Sequence, residues 1–142
     1  MYPQPIILKS YLYALPIPAI ITAGTQVNFE QIELLENAAI YSIQVVTSTG
    51  GISPYGRTAM EEGDIITCSP TLTLIKNNVT IVKQSPLIDY SNTSNFTSPF
   101  DYWKNYQRMF SPQNFDLTKS FITFNEGILF ANGVILFNFI YK

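Results

Sequence analysis

The chain has 142 residues, a formal net charge of −2 and no histidine, and 13% of its residues are charged against 46% hydrophobic and 14% aromatic. That length gives one domain with room for a core that buries about 68–70% of the surface its unfolded form exposes. The composition excludes intrinsic disorder, and the eight basic residues are spread singly, which excludes a phosphate-tracking stripe and direct nucleic-acid readout. No run of 18 apolar residues is present, so no membrane span is expected. The single cysteine, Cys68, forbids an internal disulfide and reads as a small buried apolar residue. Low charge beside abundant apolar surface points to a subunit covered by its neighbours, because obligate interfaces resemble a core cut in half.

In chain order, residues 1–5 contain Pro3 and Pro5 and read as an extended arm. Residues 6–15 read as a strand, or as an arm that pairs with something. Pro16 and Pro18 then leave only an edge or polyproline path. The apolar start has a superficial likeness to a signal peptide, but it lacks a basic beginning, contains Lys9 and is interrupted by prolines, so it belongs to the fold. Residues 22–25 form a turn. Val27 and Phe29 mark a half-buried strand, and residues 33–39 are too short for a free-standing helix. Residues 39–49 make the next strand, closed by Gly50 and Gly51.

Glu61, Glu62 and Asp64 surround Gly63 without the alternating ligands of a calcium loop, so a solvated turn is expected there, followed by a short strand up to Pro70. Residues 71–76 and 79–84 flank Asn77-Asn78 and predict a hairpin with a type I′ turn, since Asn tolerates positive φ. Residues 88–98 form a polar loop. Its N-x-S/T matches, like that at Asn78, are what an Asn/Ser/Thr-rich chain gives by chance. Phe96, Phe100, Tyr102, Trp103, Tyr106 and Phe110 then crowd together, and spacing places Tyr102, Tyr106 and Phe110 on one face of a short helix near 100–110. The segment suits packing or an interface more than a sugar platform. Residues 120–142 are the most apolar and β-rich part, two strands with turn signals at Asn125-Glu126-Gly127, read as a hairpin turn, and at Asn132-Gly133. Phe137, Phe139 and Tyr141 are expected on one face of the last strand, and Leu136, Asn138 and Ile140 on the other, with both faces covered.

The expected strands lie near 7–13, 26–32, 39–49, 64–69, 71–76, 79–84, 119–125 and 133–141. The fold class is therefore all-β: about eight strands in an antiparallel, jelly-roll-like β-sandwich with one short helix. Residues 1–18 read as an N-terminal extended arm and 19–142 as a single sandwich domain.

Without histidine, Ser-His-Asp and Cys-His catalysis and His-built zinc sites are excluded, and no phosphate-cradling glycine motif occurs. A carboxylate pair such as Glu126 with Asp101 remains formally open for glycoside cleavage, but nothing favours the pairing. No catalytic, cofactor or metal site is expected.

The stretches ITAGTQVNF, LTLIKNNVTIVKQSPL, FDLTKSFITF and the closing FNFIY resemble small virion structural proteins of bacterial viruses. The layout over residues 20–142 is most similar to the single-jelly-roll vertex (penton) or minor capsid proteins of tailless, membrane-containing bacteriophages. The resemblance implies a non-enzymatic capsid subunit located in the virion. Its partners would be copies of itself, as a pentamer, and neighbouring capsid proteins. The contact candidates are Tyr2, Ile6, Ile7, Tyr11 and Tyr13 in the arm, with Tyr102, Trp103 and Tyr106 in the aromatic segment. The rival reading is a spike, fibre or carbohydrate-binding sandwich that uses residues 96–110.

Overall fold

A computed structural model describes residues 8–46, 58–92, 113–129 and 133–142. The chain runs through β1 (Lys9–Pro16), β2 (Ile20–Ile21), β3 (Gln26–Asn28), β4 (Ile40–Val46), β5 (Thr58–Ala59), α1 (Glu62–Cys68), β6 (Pro70–Lys76), β7 (Val79–Pro86), β8 (Ser91–Asn92), β9 (Phe121–Phe124), β10 (Ile128–Leu129) and β11 (Gly133–Tyr141). One sheet has the order β1-β11-β4-β8, with β5 alongside β11, and the other has the order β3-β9-β6-β7. β2 and β10 form a separate two-stranded ribbon.

Set that ribbon and β5 aside, and the eight remaining strands pair first with last, second with seventh, third with sixth and fourth with fifth. This is the strand order of a jelly roll, which a rolled hairpin with four antiparallel pairs would give, and the β4–β8 pair departs from it in direction. The pairings β1–β11, β11–β4, β3–β9, β9–β6 and β6–β7 are antiparallel, whereas the two-residue contact of β8 with β4 is parallel.

Between the sheets lies one core, in which Leu15, Ile43, Val45, Ile135, Phe137 and Phe139 from one side meet Phe29, Leu72, Leu74, Ile122 and Phe124 from the other. β11 is central because its neighbours lie on both edges and its side chains are covered on both faces. Phe137 and Phe139 are fully buried in the main core and Tyr141 nearly so. On the opposite face Val134 and Leu136 pack with Ala59, Ile140 is buried, and Asn138 is half-buried. The two-faced reading of the C-terminal strand therefore holds within a single subunit.

Local chemistry explains the turns. Asn77 and Asn78 have φ of +51° and +61°, as a type I′ turn requires. Asp116 Oδ2 accepts the Asn77 N–H at 3.2 Å, and Lys119 Nζ donates to Asn78 Oδ1 at 2.8 Å, tying that turn to the segment before β9. Buried Ser120 donates to the Asp116 carbonyl at 2.9 Å and accepts the Ile75 N–H at 3.0 Å. Gly24, at φ +90°, supplies the left-handed residue of the 22–25 turn, which closes through Thr25 N–H to Thr22 O.

Three expectations change. Residues 64–69, read as a strand after a solvated turn, are mostly helix α1. A reciprocal capping box between Glu61 and Asp64 starts it, and Ser69 in the left-handed region ends it. The strands β9 and β11 do not pair with each other. They lie in opposite sheets, and the 125–127 turn leads into β10 instead. Finally, of the two readings of residues 6–15 the strand holds and the arm does not, because Lys9–Pro16 pairs with β11 along its whole length, so the sheet begins inside the 1–18 segment. The helix expected near 100–110, the aromatic segment 96–110 and residues 1–7 lie outside the described residues.

Among the described residues, one buried side-chain group lacks a partner. Ser42 on β4 is 1% exposed, and its Oγ makes no hydrogen bond. A desolvated hydroxyl of this kind costs free energy that a methyl does not. Ser42→Ala is expected to raise stability by about 1 kcal/mol in urea unfolding, with an unchanged m-value. A loss of stability would show that the hydroxyl has a partner in solution.

Candidate functional site

Two surface features are built well enough to act on a partner. The first is one end of the sandwich, assembled from the β2–β10 ribbon, the 125–127 turn and α1. Glu126 N–H donates to Cys68 O at 3.1 Å, and Asn125 Nδ2 donates to Ser69 O at 2.8 Å, so the turn is bolted to the C-terminus of the helix. A Cβ at Gly127 would sit 3.0 Å from the Ile21 carbonyl oxygen, so a side chain there would push the turn off β2 by a few tenths of an ångström. α1 buries Ile65 and Cys68 one turn apart and leaves Ile66 63% exposed. Ile20 and Leu129 stand directly opposite each other on the ribbon and are 69% and 78% exposed. Apolar side chains so open on the ribbon and the adjoining helix, with Glu61 and Glu126 also exposed at this end, form an exposed apolar surface rather than a core.

The second feature is a groove of about 670 Å³ between β1 and residues 30–34, lined by Tyr11, Tyr13, Glu30, Gln31, Ile32, Glu33 and Leu34. It shares Gln31 and Ile32 with a cavity of about 310 Å³ that reaches Asn114 and Asp116. Asn114 fixes the far wall, since its Nδ2 donates to the carbonyls of Leu35, Glu36 and Ala38 at 3.3, 2.6 and 3.0 Å. Tyr13 is committed to its own subunit. Its ring lies 6.2 Å from Phe29 and 6.3 Å from Phe139, and its hydroxyl accepts the Glu30 N–H at 3.1 Å. Burial pushes the Tyr13 hydroxyl's pKa up, against the lowering effect of the Glu30 N–H bond.

Tyr11 and Tyr13 are thus brought together on one wall, with Tyr11 the more open of the two. The other expected contact residues, Tyr2, Ile6, Ile7, Tyr102, Trp103 and Tyr106, lie outside the described residues, as does Asp101, the suggested partner of Glu126. Sequence reasoning missed Ile20, Ile66 and Leu129. Ile20 and Leu129 lie in short apolar runs that read as core. The E-x-x-D spacing of a capping box was the one signal for α1, and it would have placed Ile66 on the face opposite Ile65 and Cys68.

Among the described residues, no group of three or more His, Cys, Asp or Glu is placed to hold a metal ion. No described helix is long and apolar enough to cross a membrane. Cys68 is fully buried, and desolvation pushes its thiol pKa up to about 11. Thiol reagents should therefore label native Cys68 only as the chain opens, at a rate that falls as stability rises. Because the folded pKa lies above the unfolded one, the protonated thiol favours the folded state. That contribution is complete below about pH 9 and is lost as pH rises towards about 11. Rapid stoichiometric labelling at pH 8 without unfolding would contradict this placement.

Comparison with known proteins gives no matching family model, no matching curated protein and no matching solved structure.

Proposed function

We propose that this chain is a non-enzymatic structural subunit of a virus particle, placed at the five-fold vertices of the capsid. The observation that supports the reading is the strand order, β1-β11-β4-β8 and β3-β9-β6-β7, which is the order of a jelly roll, an architecture found among capsid domains. A fold alone does not assign a function, since lectins and cupins share it. The exposed apolar end adds a second support. Ile20, Leu129 and Ile66 offer surface that a free monomer has no use for.

Glu61 and Glu126 also bear on symmetry. A self-facing two-fold contact through this end would set these acids against their own copies. A head-to-tail contact avoids that, and head-to-tail contacts close into rings when the rotation closes. In this reading the work of the protein is assembly. Its partners are copies of itself and neighbouring shell proteins, and it needs no cofactor.

Image averaging of the purified protein by electron microscopy tests the proposal. Closed five-fold rings, with the β2–β10 ribbon buried between subunits, are the expected result. Single domains with no ring class at any protein concentration would contradict it.

A further inference from the structure

A four-stranded sheet has two edges, and an unprotected edge offers unpaired N–H and C=O groups to any passing strand. Three of the four edges here are blunted. β3 has three residues and, among the described residues, β8 has two. β7 has eight, but it carries Lys83, ends at Pro86, holds Gln84 at φ +46°, and shifts register against β6 between Leu72 and Leu74 and again between Leu74 and Ile75. These are the devices that keep sheets from joining.

β1 carries a lysine and a proline only at its two ends, Lys9 and Pro16, and between them it has no charge, no positive φ and no register shift. Its eight residues hold one unbroken register, from Lys9 opposite Tyr141 to Pro16 opposite Val134. No described strand lies on its outer side.

The hydrogen-bond phase of that edge is fixed. Ile17 N–H donates to Gly133 O at 3.1 Å, and the two are opposite each other when the β1–β11 register is extended by one pair. Odd-numbered residues of β1 therefore bond to β11, and Ser10, Leu12 and Ala14 turn their N–H and C=O groups outward. Val134 O, an even position on β11, accepts from Met60 on the side away from β1, as the same phase requires. Leu12 sits midway between Ser10 and Ala14 and is 50% exposed.

We infer that β1 is a docking edge for a second copy of this chain, the two β1 strands pairing antiparallel about a two-fold axis at Leu12. The edge is self-complementary. Leu12 meets Leu12 of the partner subunit, and Ser10 of each copy meets the small Ala14 position of the other, each pair exchanging two main-chain bonds. The central contact is apolar. The one charged residue of the strand, Lys9, falls opposite the Leu15 position, so the two copies of Lys9 lie at opposite ends, about 20 Å apart at the rise of a strand. The two sheets become one continuous sheet, and the contact closes on itself without leaving a new edge at β1. This inference is independent of the vertex reading, since it uses a different surface and a different symmetry.

Two measurements test it. In this register the Leu12 Cα atoms approach to about 5.5 Å, within disulfide range, while the two Ser10 positions lie about 14 Å apart along the strand. Leu12→Cys should give a covalent dimer on oxidation and Ser10→Cys should not, while native Cys68 is buried and stays silent. An edge strand tolerates proline where its N–H faces outward. Leu12→Pro should therefore keep the fold, judged by circular dichroism, while halving the solution mass. The inference is overturned if Leu12→Cys stays monomeric under oxidation, if Ser10→Cys cross-links as well, or if folded Leu12→Pro keeps the wild-type mass. Rings that persist in Leu12→Pro, or a Leu12→Cys cross-link in a chain that forms no rings, separate this contact from the vertex contact.

Discussion

Phe137→Ala is expected to lower stability by about 3–5 kcal/mol, the range for truncating a fully packed phenylalanine. Phe137 has no exposed surface and lies at the middle of β11, the strand that both β1 and β4 pair with. Its ring meets Phe29 edge-on at 5.1 Å and stacks near Phe139 at 6.2 Å, so it bridges the two sheets. The loss combines the transfer of the ring to water with the cavity left between rigid neighbours. Domains of this size have about 5–15 kcal/mol in total, and at about 2–4 °C per kcal/mol the variant should unfold about 6–20 °C lower. Leu129→Ala is the matched control. Leu129 is 78% exposed, and its truncation should stay within about 0.5 kcal/mol of wild type. Equal losses in the two variants would mean that the sheets do not pack through Phe137.

The second large effect falls on assembly and leaves the fold alone. Ile20→Lys combined with Leu129→Glu replaces the exposed apolar pair by an opposite-charge pair at the same cross-strand position. The ribbon keeps its pairing, so thermal unfolding of the subunit should barely move. Burying the new charges in a ring contact costs several kcal/mol, whereas apolar side chains at the centre of an interface contribute about 2 kcal/mol or more when they are hot spots. Rings should therefore be lost, with the folded subunit left behind. Rings of unchanged mass would place the contact elsewhere on the molecule.

These two expectations show where the sequence was readable. The alternation Phe137, Phe139, Tyr141 against Leu136, Asn138, Ile140 has period two, and a buried central strand follows from it. The β6–β7 hairpin was readable because Asn77-Asn78 is one of the few pairs that accepts two successive positive φ values. α1 was not, since Gly63 and the β-branched Ile65, Ile66 and Thr67 argue against a helix. Capping at both ends and the burial of Ile65 and Cys68 outweigh those propensities. Thr67 Oγ1 also bonds back to Gly63 O at 2.8 Å, taking its hydroxyl out of competition with the strand alternative.

That β9 and β11 sit in opposite sheets could not be read from local pattern. Both are apolar runs separated by turn residues, and nothing in a turn says which sheet the chain enters next. The candidate site follows the same division. Tyr11 was legible as an edge aromatic of the first strand, whereas the exposure of Ile20, Ile66 and Leu129 arises only when the ribbon, the 125–127 turn and α1 meet at one end.

The solution mass of the purified chain by light scattering tests the assembly claim most directly. The vertex reading gives five times the 16.0 kDa subunit mass, or ten times where β1 edges join rings in pairs. A mass of one or two subunits at every concentration would contradict it.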